Sequence, residues 1–236
     1  MTADDILQEL ESLGSESYKK LMMKNYGVKE PCFGVKIGDL KKIQKRIKKD
    51  YQLALDLYDT GNYDAMYLAG LIADATRMTK KDLKAWAKKA YAGSLPSATV
   101  AWTAAESRYG CDLALEWIDS PKELIAAAGW ATLSSLVAIK DDEDLDLSEI
   151  KQLIQRVNKE ILHVDNAVRY EMNGFVIAAG CYVKSLTDLA IQTGEKIGPI
   201  IADLGDNACE MPFAPDHIRK VQTRGSIGKK RKTAKC

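Results

Sequence analysis

The sequence predicts an all-α chain built from helix pairs that repeat. Three observations carry this. Apolar residues recur at spacings of three and four through most of the 236 residues, and few runs alternate at the strand period of two. Two stretches sixty residues apart, LALDLYDTGNYDAMYLAGLIAD (53–74) and LALEWIDSPKELIAAAGWATLS (113–134), match in kind along their length. A glycine followed by a large apolar residue stands inside a helical pattern three times, as Gly70-Leu71, Gly129-Trp130 and Gly174-Phe175.

The elements run in order. DILQELESLG puts Ile6, Leu7, Leu10 and Leu13 on one helix face, and IGDLKKIQKRIKK does the same with Leu40, Ile43 and Ile47, surrounded by lysines. In 53–74 a short first helix ends at Asp59-Thr60 and an alanine-rich second helix comes after it. TKKDLKAWAKKAYA aligns Leu83, Trp86, Ala87 and Ala90. The pair at 113–134 repeats the earlier one, with Leu113, Ala114, Leu115 and Glu116 in the places of Leu53, Ala54, Leu55 and Asp56. LSEIKQLIQRVNKEIL opens on Ser148 as the expected N-cap and repeats Ile150, Leu153, Ile154, Val157 and Ile161. HVDNAVRYEMNGFVIAAG (163–180) is apolar in its second half, yet Asn166, Arg169 and Asn173 share one stripe. GPIIADLG (198–205) is ambiguous.

Helix pairs at this spacing are the signature of a solenoid of HEAT-like repeats, with first helices outside and alanine-rich second helices lining a concave layer. A mid-helix glycine costs ~1 kcal/mol relative to alanine, so three in register imply close approach by a neighbouring helix. In this arrangement the helix near residues 165–180 is an inner helix whose Asn166-Arg169-Asn173 stripe faces a groove. An arginine there needs an anion or several acceptors.

The net charge of +1 conceals an asymmetry: residues 217–236 hold eight Lys and Arg and no acid, while the other 216 residues carry 26 basic and 33 acidic groups. The expected organisation is one solenoid domain over 1–216 and a flexible basic tail over 217–236, either a solubilising end or an arm for a polyanion. The runs Lys36–Lys49 and Lys80–Lys89 read as solvated outer faces unless they converge on one surface. Cys32, Cys111, Cys181, Cys209 and Cys236 are dispersed, which reads as reduced thiols. His163 and His217 are too far apart to suggest a zinc site, and no metal or cofactor is expected. No apolar run approaches the ~18 residues of a membrane span, and the acidic, amphipathic N-terminus is unlike a signal peptide, so a cytoplasmic protein is expected, nucleoid-associated if it binds DNA. A monomer is expected.

Three segments, in this order, resemble the DNA alkylation repair proteins of the AlkD type: MKNYGVKEPCFGVKIGDLKKIQKRI (23–47), with its Met-Lys-Asn and Phe-Gly-Val; the helix pair LALDLYDTGNYDAMYLAGLI; and VRYEMNGFVIAAG, where the family carries Gly-Trp. The similarity spans residues 15–200. It implies a concave basic face that holds duplex DNA. It also implies excision of N3- and N7-alkylated purines, with a carboxylate and tryptophan π faces stabilising the electron-poor sugar. In the family an Asp closely follows a Trp in the middle repeat. Here LPSATVAWTAAESRYG offers Trp102, with Thr103 about where the carboxylate is expected, and Glu106 one helical turn beyond Trp102 as the nearest acid. The family's inner-helix Arg has no counterpart in IAAAGWAT, and its Gly-Trp is Gly174-Phe175.

The resemblance and the charge pattern together give a candidate set. Glu106 and Trp102 are the catalytic pair, against the alternative that Trp102 is core and Glu106 pairs with a nearby base. Lys24, Asn166, Arg169, Asn173, Trp130, Lys229, Lys230, Arg231 and Lys232 are the DNA-binding set, with Trp130 equally readable as packing. The expected partner is duplex DNA, alkylated or branched. The alternative is a non-catalytic scaffold for a peptide, a protein or branched DNA.

Overall fold

The computed structural model describes residues 1–201 and 211–235. Cys209, Cys236 and the second half of GPIIADLG lie outside the described residues; Gly198 to Ile201 form no strand. The described residues are all helical apart from turns and connections, and they divide into two compact units.

The first unit comprises 1–109 and Lys235. Its helices are α1 (Ala3–Leu13), α2 (Glu16–Tyr26), α3 (Ile37–Ile47), α4 (Tyr51–Asp59), α5 (Tyr63–Ile72), α6 (Lys80–Lys89) and α7 (Ala101–Ala105), the last preceded by a π-helical turn, Leu95–Val100. Their starts are written in the sequence. Thr2 with Asp5, and Thr79 with Asp82, form reciprocal capping boxes at α1 and α6, satisfying orphan backbone donors. The predicted apolar faces are the buried ones: Ile6 and Leu10 of α1, Leu40 and Ile43 of α3, Leu83, Trp86 and Ala87 of α6. Tyr58 stacks flat on Trp86 with ring centroids 4.2 Å apart, tying the end of α4 to α6.

α4 and α5 pack as a pair, and every residue of α5 is buried. One of these is a carboxylate. Asp64 accepts hydrogen bonds from the backbone N–H groups of Phe33 (2.7 Å), Gly34 (3.1 Å) and Val35 (3.0 Å), and from the Cys32 thiol (3.4 Å). A buried charge is tolerated only with such a partner set. The Phe-Gly-Val segment is therefore a loop wrapped on an anion. Gly34 has φ +76°, and a Cβ on it would stand 2.6 Å from the Ser15 carbonyl oxygen, so no other residue fits.

The second unit comprises 110–201 and 211–234. Its helices are α8 (Gly110–Ile118), α9 (Glu123–Ile139), α10 (Leu147–Glu160), α11 (Asn166–Tyr182), α12 (Thr187–Ile197) and α13 (Ala214–Thr223). The N-cap of α10 is Asp146, not Ser148: its carboxylate accepts from Ser148 N–H and Glu149 N–H, two donors a Ser148 hydroxyl could not reach from inside the first turn. α8 pairs with α9, and α9 packs along α11, where Trp130 meets Phe175 at 5.4 Å between centroids.

Two of the three glycines do what their register predicts. A Cβ on Gly70 would lie 2.8 Å from the Thr99 methyl, and one on Gly129 would lie 2.7 Å from the Ile118 backbone nitrogen. Gly174 differs: a Cβ there would meet only a Glu171 carboxylate oxygen, 3.8 Å away. It is not a packing glycine.

The segment expected to form a basic tail is described over residues 217–235. Its first residues belong to α13, and several residues beyond that helix make hydrogen bonds within the second unit. Gly228 N–H donates to Cys181 O at 2.9 Å and Arg231 N–H to Ala138 O at 2.7 Å. These carbonyls stand at the C-terminal ends of α11 and α9, where acceptors lack partners and the helix dipole favours cations. Lys230 obeys the same logic, donating to Val137 O at 2.9 Å and pairing with Asp142 at 2.7 Å. In the first unit Lys235 does likewise at the end of α5, donating to Leu71 O (3.2 Å) and Ala73 O (3.0 Å).

Candidate nucleic-acid interface

The catalytic candidates lie in the first unit. Trp102 is buried on α7, its ring edge-on to Tyr67 at 5.9 Å and 82°. Thr103 is fully buried, and its hydroxyl donates to Thr99 O at 2.8 Å, one turn back. Glu106 caps the C-terminus of α7, with its backbone N–H on Trp102 O. Its carboxylate lies 4.0 Å from the Lys235 ammonium, both side chains being mostly buried. A local cation thus attends the acid nearest to Trp102 in that stretch. Lys24 is exposed on the last turn of α2.

In the second unit the donors of Arg169 and Asn173 in the Asn166-Arg169-Asn173 stripe go to acceptors within that unit. Arg169 turns onto the chain that leads into its own helix. Its Nε donates to Ile161 O (3.1 Å), one terminal nitrogen to Asn166 Oδ1 (3.2 Å) and Ile201 O (3.1 Å), and the other to Val164 O (2.9 Å) and, more weakly, Leu162 O (3.5 Å). A guanidinium has five N–H donors, and these five acceptors take all of them. The cation satisfies carbonyls left over where α10 ends, so the anionic partner expected for it is replaced by peptide oxygens. Asn173 is buried, and its amide donates to Pro212 O at 2.9 Å. Trp130 is fully buried against Phe175, with the Arg156 guanidinium 5.9 Å from its ring centroid, so it is packing rather than a ligand contact.

What the fold does bring together is a cavity of about 440 Å³ beside α11. Gly174, Ile177, Ala178 and Cys181 form its floor, spaced at three and four along one face of that helix. Tyr182 joins this lining. His217 of α13, Arg224 at its C-cap, and Lys229 and Arg231 beyond it supply the basic groups of the lining, and none of the lining residues is acidic. Gly174 contributes no side chain to this floor, which leaves the helix backbone open to the cavity there. Burial pushes the Cys181 thiol up to about 11, so it stays neutral in this floor at physiological pH.

Of the expected DNA-binding set, Lys229 and Arg231 therefore line one basic cavity, Lys232 is exposed beside them in sequence, and Lys230 is spent on Val137 and Asp142. His217, Arg224 and Tyr182 were not legible as site residues. A signal existed: His217, Val221 and Arg224 are spaced three and four apart, one face of a helix that charge counting alone treats as tail. Among the described residues, no group of three His, Cys, Asp or Glu side chains is placed to hold a metal ion, and no single helix is long and apolar enough to cross a membrane.

Comparison with known proteins agrees with this architecture. The chain superposes on a solved structure with a TM-score of 0.91 at 36% sequence identity, over 100% of both chains; that protein is described as one of a new family related to the HEAT-like repeat DNA glycosylases with affinity for branched DNA structures. Uncharacterised proteins of Listeria innocua and Listeria monocytogenes are each 30% identical over 230 residues, covering 95% of this chain and 99% of theirs. The model of the DNA alkylation repair enzyme family matches residues 6–196. The fold is thus a HEAT-like helical repeat, and the chain belongs to the DNA alkylation repair enzyme family.

Proposed function

We propose that the protein binds DNA, branched in preference to linear, and leaves the glycosidic bond intact. The observation that carries this is the cavity of the second unit, where His217, Arg224, Lys229 and Arg231 converge with no acid in the lining. Lysine and arginine clustered in this way are the electrostatic footprint of a phosphate backbone, which positions a nucleic acid without reading sequence. The affinity for branched DNA described for the 36% identical relative favours a branched target here.

The first unit argues against chemistry on a base. A carboxylate stabilises an electron-poor sugar through uncompensated negative charge in a site ready for it. Glu106 has the Lys235 ammonium at 4.0 Å, Thr103 is spent on Thr99 O, and the Trp102 ring is committed to Tyr67.

The test compares a four-way junction with a linear duplex of equal length across a salt titration. The junction should bind more tightly. Three Lys and Arg side chains acting on phosphates give a slope of log K against log salt of about −3. Incubation with DNA containing 7-methylguanine should release no base. Release that is abolished by Glu106→Gln would overturn the non-catalytic half of this reading, and equal affinity for junction and duplex would overturn the other half.

A further inference from the structure

The cavity beside α11 has two chemistries, and a paired duplex uses only one of them. Its cations suit phosphates. Its floor of Gly174, Ile177, Ala178 and Cys181 is apolar, and a phosphate gains nothing by covering it. At about 440 Å³ the cavity falls within the ~300–1,000 Å³ that accommodates a small-molecule-sized group. A ligand that satisfies both chemistries is anionic at one end and flat and apolar at the other. An unpaired nucleotide has that form: its phosphates are charged, and its base has a π face that stacks on aromatic and aliphatic side chains.

We infer that this cavity receives a single unpaired nucleotide of bound DNA, its base over the Gly174 side of α11 beside Tyr182 and its phosphates on Arg224, Lys229 and Arg231. The inference rests on the DNA-binding reading above and adds to it the part of the DNA that enters the protein. Gly174 leaves the floor of the cavity without a side chain. The nearest group to its missing Cβ is a Glu171 carboxylate oxygen at 3.8 Å, an ordinary contact distance, so nothing in the helix packing requires a glycine here. Helix propensity argues against one by ~1 kcal/mol. A helix that carries this cost without a packing reason, at the floor of a basic cavity, is shaped for something that enters it.

The geometry supplies its own test, because filling the cavity should not harm the fold. Affinity is measured by fluorescence anisotropy at fixed salt for four probes: a linear duplex, the same duplex with one unpaired thymidine bulged from it, a fully paired four-way junction, and that junction with one unpaired thymidine at the crossover. Wild-type protein should bind each probe carrying the unpaired thymidine about tenfold more tightly than its paired counterpart, the size of one base stacked on protein side chains. Gly174→Leu should bring that ratio to one while leaving the paired probes unchanged, and its melting temperature should equal or exceed the wild-type value. Gly174→Ala, which adds only a Cβ, should keep most of the ratio. Tyr182→Ala should reduce the ratio without filling the cavity, and so tests the same site if the leucine variant misfolds. A wild-type ratio of one, or a ratio that survives both Gly174→Leu and Tyr182→Ala, overturns the inference. The parent reading is judged separately, by the paired junction against the linear duplex, so either can fail while the other stands.

Discussion

The Lys235 ammonium stands 4.0 Å from the Glu106 carboxylate while donating to the carbonyls of Leu71 and Ala73 at the end of α5. One lysine near the chain terminus thus serves a helix C-terminus and a buried acid in the first unit.

Lys235→Met should therefore destabilise the protein by about 1–3 kcal/mol, the cost of leaving buried acceptors without a donor, read as a lower urea midpoint. The effect should depend on pH. Burial holds the Lys235 ammonium below its ordinary value, with the Glu106 carboxylate opposing that shift. The unfolded chain then binds this proton more tightly than the folded one. Between the folded value and the ordinary value of 10.5, wild-type stability should rise with pH relative to Lys235→Met. A difference that falls over that window would place the lysine in an environment unlike the one described.

Asp64 anchors the Phe33-Gly34-Val35 loop through three backbone N–H groups. Asp64→Ala should cost about 3 kcal/mol or more, since hydrogen bonds to a charged acceptor contribute roughly 1.5–3 kcal/mol each and the loop donors would be left buried. Asp64→Asn should recover part of this, because one oxygen still accepts. Urea denaturation of the two variants gives the order; equal stability of both with wild type would mean that the loop is held by something else.

Arg169 and Arg224 should behave as opposites. Arg169→Ala removes a cap from carbonyls at the end of α10 and should lower the melting temperature while junction affinity, measured well below that temperature, is retained. Arg224 is exposed at the cavity. Arg224→Ala should leave the melting temperature within about a degree, as exposed substitutions away from packed features typically change stability by less than ~0.5 kcal/mol. Its salt slope for DNA should become shallower by about 0.9.

The glycines separate in the same way. Gly129→Ala drives a methyl against the Ile118 backbone and should destabilise, whereas Gly174→Ala makes only an ordinary contact with Glu171 and should stabilise by about 0.8–1 kcal/mol. Paired thermal melts decide it, and a stabilised Gly129→Ala would contradict the close approach of α8 and α9.

Cysteine labelling reports the first unit's core. Burial, helped by the Asp64 carboxylate, pushes the Cys32 thiol up to about 12. An acid raised in this way contributes stability that is complete below the ordinary value of 9.0 and is lost as pH climbs from there towards 12. At pH 8.5 a thiol reagent followed by peptide mapping should modify exposed Cys111 well before Cys32. Rapid modification of Cys32 in the folded protein would show that the loop on Asp64 opens.

The sequence by itself determined the helices, their pairing and their repetition. Capping boxes, three-and-four periodicity and the match of 53–74 to 113–134 are properties of neighbours along the chain. Leu53 and Ala54 are buried in the first unit as Leu113 and Ala114 are in the second. Local physics was also enough for Gly70 and Gly129, where a repeated position implied a repeated contact. Only the tertiary structure decided what each charged side chain faces. Lys235 and Leu71 are 164 residues apart, and Lys230 and Val137 are 93 apart, so no window along the chain could show that two tail lysines cap helix ends. The same holds for Arg169, whose place on α11 did not reveal that the carbonyls of Ile161, Leu162 and Val164 take its donors. Periodicity places a residue on a face of its helix; the acceptors and the empty space beyond that face are set by segments from elsewhere in the chain, which is why Gly174 looked like its two counterparts and opens instead onto a basic cavity.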